Sequence, residues 1–177
     1  LMRSVNTFAS RPAFTCMGHT LTYKELDALS LQFAAYLQHH TDLQPGDRIA
    51  VQLPNILQYP VVALGALRAG MVVVNTNPLY TSHEMEHQFV DSGVKAIVIL
   101  ANMASKLDTI IGKTVLRHVI VTELADLHPF PQRCAINFAA KYIKKMVPSY
   151  HLPRAISLRW AMARGAQSQF IPVAGKP

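Results

Sequence analysis

After Asp126 the chain contains no aspartate and no glutamate. Eight of its Lys and Arg residues lie beyond that point: Arg133, Lys141, Lys144, Lys145, Arg154, Arg159, Arg164 and Lys176. Residues 1–126 hold nine basic and ten acidic residues, a net of −1, so the formal charge of +7 over 177 residues describes a near-neutral body with a basic tail. That excludes a uniformly basic globule and makes overall charge a poor guide to the body. The asymmetry points to an anionic neighbour: nucleic acid, a membrane surface, or an acidic face of a larger protein.

Cysteine is nearly missing. Cys16 and Cys134 lie far apart in no spaced motif, which excludes a disulfide framework and fits free thiols in a reducing cytosol. Long apolar runs are missing too. The most apolar segment, Pro60 to Val74, is interrupted by Gly65, Arg68 and Gly70 and falls short of the roughly 20 residues that a spanning helix needs. No basic stretch leads into a long apolar run, so no signal peptide is read. The glycines are scattered. Only Gly65 and Gly70 stand at phosphate-loop spacing, and Met71-Val72 follow where Lys and Ser/Thr are required. Neither G-x-G-x-x-G nor G-x-S-x-G occurs, which excludes a dinucleotide fingerprint and a nucleophile elbow. The first residue is Leu1, and Met2, Val5 and Phe8 lie at helical spacing. The chain is therefore expected to open inside a helix, as a piece of a longer protein.

What is present is regular punctuation. Half the residues are apolar, enough to exclude disorder for most of the chain and to build one domain with a sizeable core. Ala13 to Met17 and Thr20 to Tyr23 read as a small hairpin about Gly18-His19. Thr22 and Glu25 form a capping box, and Leu26, Leu29, Phe33 and Leu37 follow as a buried helical stripe to about His40. Arg48 to Leu53 reads as an apolar strand. Pro54-Asn55 is expected to open a second helix, with Asn55 as N-cap and Gln58 three residues on, and Gly70 as its left-handed stop. Met71 to Val74 is a β-branched run of the kind found in strands covered on both faces. Thr81 and Glu84 make a second capping box, and Asp91-Ser92-Gly93 closes that helix. Ala96 to Leu100 and His118 to Val121 are further strands, with a helix over Ala104 to Ile111 between them. Strands alternating with helices across short connections predict an α/β fold: an open layered sheet, mostly parallel, with helical crossovers. The regular pattern ends near residue 126. The expected division is residues 1–126 as the α/β body and 127–177 as a basic helical and irregular connecting segment, including a short helix near Ser157 to Arg164.

Two constellations carry candidate chemistry. His83-Glu84-Met85-Glu86-His87 satisfies H-E-x-x-H, which on a helix places two imidazoles on one face beside a carboxylate. A zinc peptidase also needs a longer helix, a third ligand and an open coordination position. Here the helix ends at Ser92, Gly93 occupies the position of the extended motif's third histidine, and Glu84 is already used as a capping partner. Arg133 to Val147 is the second. On a helical projection Ile136, Ala139, Ala140, Ile143 and Val147 form one stripe, and Lys141, Lys144 and Lys145 lie opposite. One reading is a surface helix packed on its own domain. The other is an interfacial helix in which three lysines contribute about 1 kcal/mol each at an anionic bilayer, enough to recruit a protein without anchoring it. The single Trp160 and scattered aromatics offer no stacking platform, so nucleic acid is not expected as a partner.

Read in order, Leu21-Thr22-Tyr23-Lys24-Glu25-Leu26, Pro45-Gly46-Asp47-Arg48-Ile49-Ala50, Pro54-Asn55-Ile56-Leu57-Gln58-Tyr59, Leu67-Arg68-Ala69-Gly70 and Val74-Asn75-Thr76-Asn77-Pro78-Leu79-Tyr80-Thr81 resemble the N-terminal region of the adenylate-forming, AMP-binding superfamily. Asn75 to Thr81 and the run from Lys141 to Pro153 are most similar to its bacterial long-chain-fatty-acid–CoA ligases. The resemblance implies a ligase that uses ATP, Mg²⁺ and coenzyme A. The fatty acid becomes an acyl-adenylate with release of pyrophosphate, and coenzyme A then displaces AMP. It also implies a cytoplasmic protein, peripheral at the inner face of the membrane, with the rest of its own chain as the first partner and a homodimer as a further expectation. The superfamily's phosphate loop, ATP-grasping motifs and catalytic lysine match nothing here, so no catalytic, cofactor-binding or metal-binding residue is assigned. The site residues proposed are Lys141, Lys144 and Lys145 as membrane-surface candidates. A non-catalytic membrane-associated or scaffolding module is the alternative from another class.

Overall fold

Each predicted capping box closes as the sequence prescribes. Thr22 Oγ1 accepts from the Glu25 backbone N–H at 3.3 Å, and Glu25 returns to the Thr22 N–H at 2.8 Å. Thr81 and Glu84 repeat the arrangement at 3.3 and 2.7 Å. Two orphan donors are satisfied reciprocally at each helix start. These contacts belong to a computed structural model that describes residues 2–173. Lys176 of the basic tail lies outside the described residues.

The chain opens with α1 (Met2–Phe8), then β1 (Pro12–Cys16) and β2 (His19–Thr22), paired antiparallel as a two-stranded sheet. There follow α2 (Tyr23–His40), β3 (Arg48–Gln52), α3 (Gln58–Arg68), β4 (Val72–Asn75), α4 (Ser82–Ser92), β5 (Ala96–Leu100), α5 (Ala104–Asp108), β6 (His118–Thr122), α6 (Gln132–Phe138), β7 (Ile156–Ser157) and α7 (Leu158–Gly165). The main sheet has the order β4-β3-β5-β6-β7 and is parallel throughout.

Side chains alternate across it with period two, as a pleated strand requires. Ile49, Val51, Ala96, Val98, Leu100 and Ile120 face a layer formed by α2, α3 and α7. Ala50, Ile97, Ile99, Val119 and Val121 face the other way, onto Met85 and Phe89 of α4 and Leu107 of α5. Two apolar cores therefore sandwich one sheet, and every residue of β5, at its centre, is buried.

Four expectations need correction. Asn55 does not cap α3. The helix starts at Gln58 after Leu57, with no side-chain cap, because Ile56 and Leu57 turn into the core first. The β4 run is not covered on both faces: β4 is an edge strand and Val72 is 46% exposed. A β-branched run reports strand propensity and does not report position in the sheet. The predicted helix over Ala104 to Ile111 is α-helical only to Asp108, and a 3₁₀ turn follows at Ile111–Lys113. The predicted helix over Arg133 to Val147 is broken. It is α-helical to Phe138, then a π turn over Ala139–Ile143, and Lys145 adopts a left-handed φ of 50°. Lengthening the repeat by a residue rotates the apolar stripe, so Ala140 is buried whereas Ile143 is 67% exposed. The predicted short helix near Ser157 is α7, capped by Ser157 Oγ on the Trp160 N–H at 3.2 Å. The two-residue strand β7 before it is too short to leave a periodic signal.

Acid should unfold the domain in two steps. His128 is buried and its Nε2 lies 3.2 Å from the Cys16 carbonyl. Burial holds its imidazole below the usual pKa, so the folded state resists the proton that the unfolded chain accepts. Stability therefore begins to fall as pH drops below about 6.5. Glu25 and Glu84 are held below the usual carboxylate range by the Thr22 and Thr81 N–H groups, Asp47 by the Gln44 N–H and then Lys95, and Asp42 by His118 and then Arg117. Their contribution is complete above about pH 5 and is lost as pH falls through the folded pKa values. Thermal melts between pH 8 and pH 3 should show a shallow decline followed by a steep one. A flat profile between pH 7 and about pH 5 would remove the His128 part.

Candidate functional site at the carboxyl edge of the sheet

The chain runs from β3 outward to β4, then back past β3 to β5. This reversal places a topological switch at the carboxyl ends of β3 and β5, the location where open α/β sheets receive ligands. The polar residues gather there. Gln52 ends β3, and its Nε2 donates to the Asn77 carbonyl at 3.3 Å. Asn75 ends β4, and its Oδ1 accepts from Tyr59 Oη at 3.0 Å. Gln58, first residue of α3, reaches across to the end of β6, where its Nε2 donates to the Glu123 carbonyl at 2.8 Å and the Leu124 carbonyl at 3.3 Å. Asp126 fixes the same turn. Its Oδ2 accepts from Thr122 Oγ1 and the Glu123 N–H, both at 2.9 Å, and its Oδ1 accepts from Asn137 Nδ2 at 3.3 Å.

Gln52 Oε1, Gln58 Oε1 and Thr76 Oγ1 are buried without a hydrogen-bond partner among the described residues. An unmet buried polar atom costs about 1–3 kcal/mol, so these three are a local cost that the fold carries at its carboxyl edge. At the ends of β6 and β7 runs a depression of about 350 Å³ that includes Glu123, Tyr150 and Arg159. An adjoining one brings in Lys141 and Tyr142. The block Asn75 to Tyr80 lies at this edge, because it leaves the carboxyl end of β4. Gln52, Gln58 and Asp126 were not legible as site residues. A lone glutamine closing an apolar strand is the faint signal that Gln52 leaves, and Gln58 leaves none beyond its place at a helix start.

The structure does not assemble the other constellations. His83 and His87 are exposed on α4, Glu84 turns back to cap Thr81, and Glu86 pairs with Lys113 at 2.9 Å. Among the described residues no group of three or more His, Cys, Asp or Glu is placed to hold a metal ion. Cys16 and Cys134 are free thiols. Lys141, Lys144 and Lys145 are all exposed, around the π turn rather than along one helical face.

Comparison with known proteins settles the kinship. A model of the AMP-binding enzyme family matches residues 1–157. The chain belongs to the AMP-binding enzyme family. It is 49% identical over 169 residues to a long-chain-fatty-acid–CoA ligase of Escherichia coli O6:H1, covering 96% of this chain and 30% of that protein. A long-chain-fatty-acid–CoA ligase of Bacillus subtilis is 37% identical over 132 residues, 75% of this chain and 23% of its own length. The chain thus spans about 30% of the length of the curated E. coli relative, in its N-terminal region. Among solved structures, Mycobacterium smegmatis MbtA superposes with a TM-score of 0.74 at 24% identity, over 99% of this chain and 28% of that one. That likeness carries the fold. In family terms, the parallel sheet and its two helical layers are the acyl-CoA synthetase-like α/β architecture.

Proposed function

We propose that the chain is the N-terminal portion of a long-chain-fatty-acid–CoA ligase. Such an enzyme activates a fatty acid with ATP to the acyl-adenylate and passes the acyl group to the thiol of coenzyme A. The observation that carries the proposal is 49% identity across 96% of the chain to a relative bearing that name. On this reading residues 1–126 form most of the scaffold, β7 and α7 complete it, and the rest of 127–177 leads towards the part of the enzyme that holds nucleotide. The carboxyl edge supports it, because the switch between β3 and β5 lies where open α/β sheets receive ligands.

The chemistry is assigned elsewhere. A triphosphate clamp needs preorganised donors and a Mg²⁺ site, and the residues here do not fit that ion. Asp126, the most buried carboxylate, is engaged by Thr122, Glu123 and Asn137. No reaction step is therefore routed through this segment. The expected result is that the 177-residue chain shows no fatty-acid-dependent exchange of pyrophosphate into ATP, whereas the full natural chain shows it and forms acyl-CoA. Exchange by the short chain would overturn the scaffold role, and its absence from the full chain would overturn the ligase.

The basic segment is assigned a second task in the same proposal: contact with an anionic membrane surface through Lys141, Lys144 and Lys145. The contact proposed is peripheral, and no described helix is long and apolar enough to cross a membrane.

A further inference from the structure

Residues 141–146 are six successive exposed positions at the end of the π turn. Three are basic: Lys141, Lys144 and Lys145. The other three are Tyr142, Ile143 and Met146, exposed by 59%, 67% and 49%. One turn earlier Phe138 is 58% exposed, and its ring packs on Tyr142 with centroids 5.0 Å apart. Lys141 Nζ lies 5.4 Å from the Tyr142 ring centroid. The left-handed backbone at Lys145 turns the chain back immediately afterwards. The lysines form no ion pair among the described residues.

Single exposed apolar residues are ordinary. A tip that carries an aromatic, two aliphatics and three lysines within six residues is a different composition. Tyr142 and Lys141 also line the depression at the carboxyl edge. Ile143 and Met146 line none of the depressions at that edge, so no ligand contact there accounts for their exposure. Nucleic acid would use the lysines and leave the aliphatics without a role. A bilayer interface uses both: ammonium groups at lipid phosphates, tyrosine at headgroup depth and aliphatic chains below it. The absence of any carboxylate from 127 to 177 completes the charge match to an anionic leaflet.

Resting on the peripheral-contact reading above and sharpening it, we propose that Tyr142, Ile143 and Met146 insert into the headgroup–acyl boundary of an anionic bilayer while Lys141, Lys144 and Lys145 hold lipid phosphates. The tip is a reversible docking device, too small to anchor the protein by itself. It would bring a ligase for long-chain fatty acids to the phase in which its substrate is concentrated.

The test is co-flotation of the full natural chain with vesicles of phosphatidylcholine, alone or mixed with phosphatidylglycerol, at low and high salt. Binding is expected only to the mixed vesicles. The Lys141→Gln, Lys144→Gln, Lys145→Gln triple variant should bind about 100-fold more weakly. The Ile143→Ser, Met146→Ser double variant should bind about tenfold more weakly with unchanged salt dependence. All five positions are exposed, so unchanged circular dichroism and melting temperature are expected and checked first. A double variant that binds like the parent overturns insertion and leaves the electrostatic reading standing. A parent that does not bind, a triple variant that binds like the parent, or equal binding to neutral vesicles overturns both.

Discussion

Gly165→Ala should lower the melting temperature by about 6–12 °C, corresponding to about 3 kcal/mol at the upper end of overpacking costs for a domain of this size. A Cβ on Gly165 would run into the Gln32 carbonyl oxygen and stand 2.9 Å from the Tyr36 nitrogen. Both obstacles are backbone of α2, so no side chain can rotate away. Accommodation would require α7 to lift off α2, which would loosen Leu158, Ala161 and Met162 from the core and open the edge contact between Tyr36 and Trp160, 6.2 Å apart. Gly112→Ala is the control. Nothing lies within 4 Å of a Cβ there, so its effect should stay within about 0.5 kcal/mol. Equal melting temperatures for the two variants would mean that α7 does not approach α2 this closely. The close crossing also bears on the basic tail: α7 lies within residues 127–177, yet it closes the layer formed by α2 and α3, and β7 extends the main sheet.

Whether a feature was legible in the sequence depended on how local its cause is. The capping boxes at Thr22 and Thr81 and the left-handed stops at Gly70 and Gly93 are settled within a few residues, and the chain obeys them. The alternation of strands and helices gave the parallel sheet for the same reason. What failed depends on distant partners. Whether Val72 is covered depends on sheet order, which no residue near it encodes. Gln58 read as a capping partner because the capping pattern is local, whereas its actual partners lie more than sixty residues away. The π turn after Phe138 is a one-residue change of period that a helical projection cannot register, and it moves Ile143 from the expected packed stripe to the surface. At the carboxyl edge, the Asn75 to Tyr80 loop was legible because it follows a strand, and Asp126 was not because its hydrogen bonds close a turn that only the fold creates.

Gln58→Glu should destabilise the domain by about 4 kcal/mol at neutral pH, a fall of about 8–16 °C in melting temperature, and the deficit should shrink on acidification. The amide nitrogen of Gln58 donates to the Glu123 and Leu124 carbonyls. A carboxylate in its place would present negative charge to two carbonyl oxygens at a position with no exposure. Both burial and the facing dipoles favour the protonated form of the introduced carboxyl, so its folded pKa would lie above the unfolded value of about 4.3. The folded state then binds the extra proton, and stability rises as pH falls through the raised folded pKa. The protonated group can also donate to one of the two carbonyls, as the amide did. The parent moves in the opposite direction over the same range, because His128 costs it stability below about pH 6.5. The diagnostic quantity is therefore the difference between the two melting temperatures, which should narrow between pH 7 and pH 5. A constant difference would show that Gln58 is not held against buried carbonyls. The consequence for function follows from position. Gln58 ties the start of α3 to the turn after β6, across the switch between β3 and β5, so its loss should disorder the carboxyl edge before it disturbs the two apolar cores.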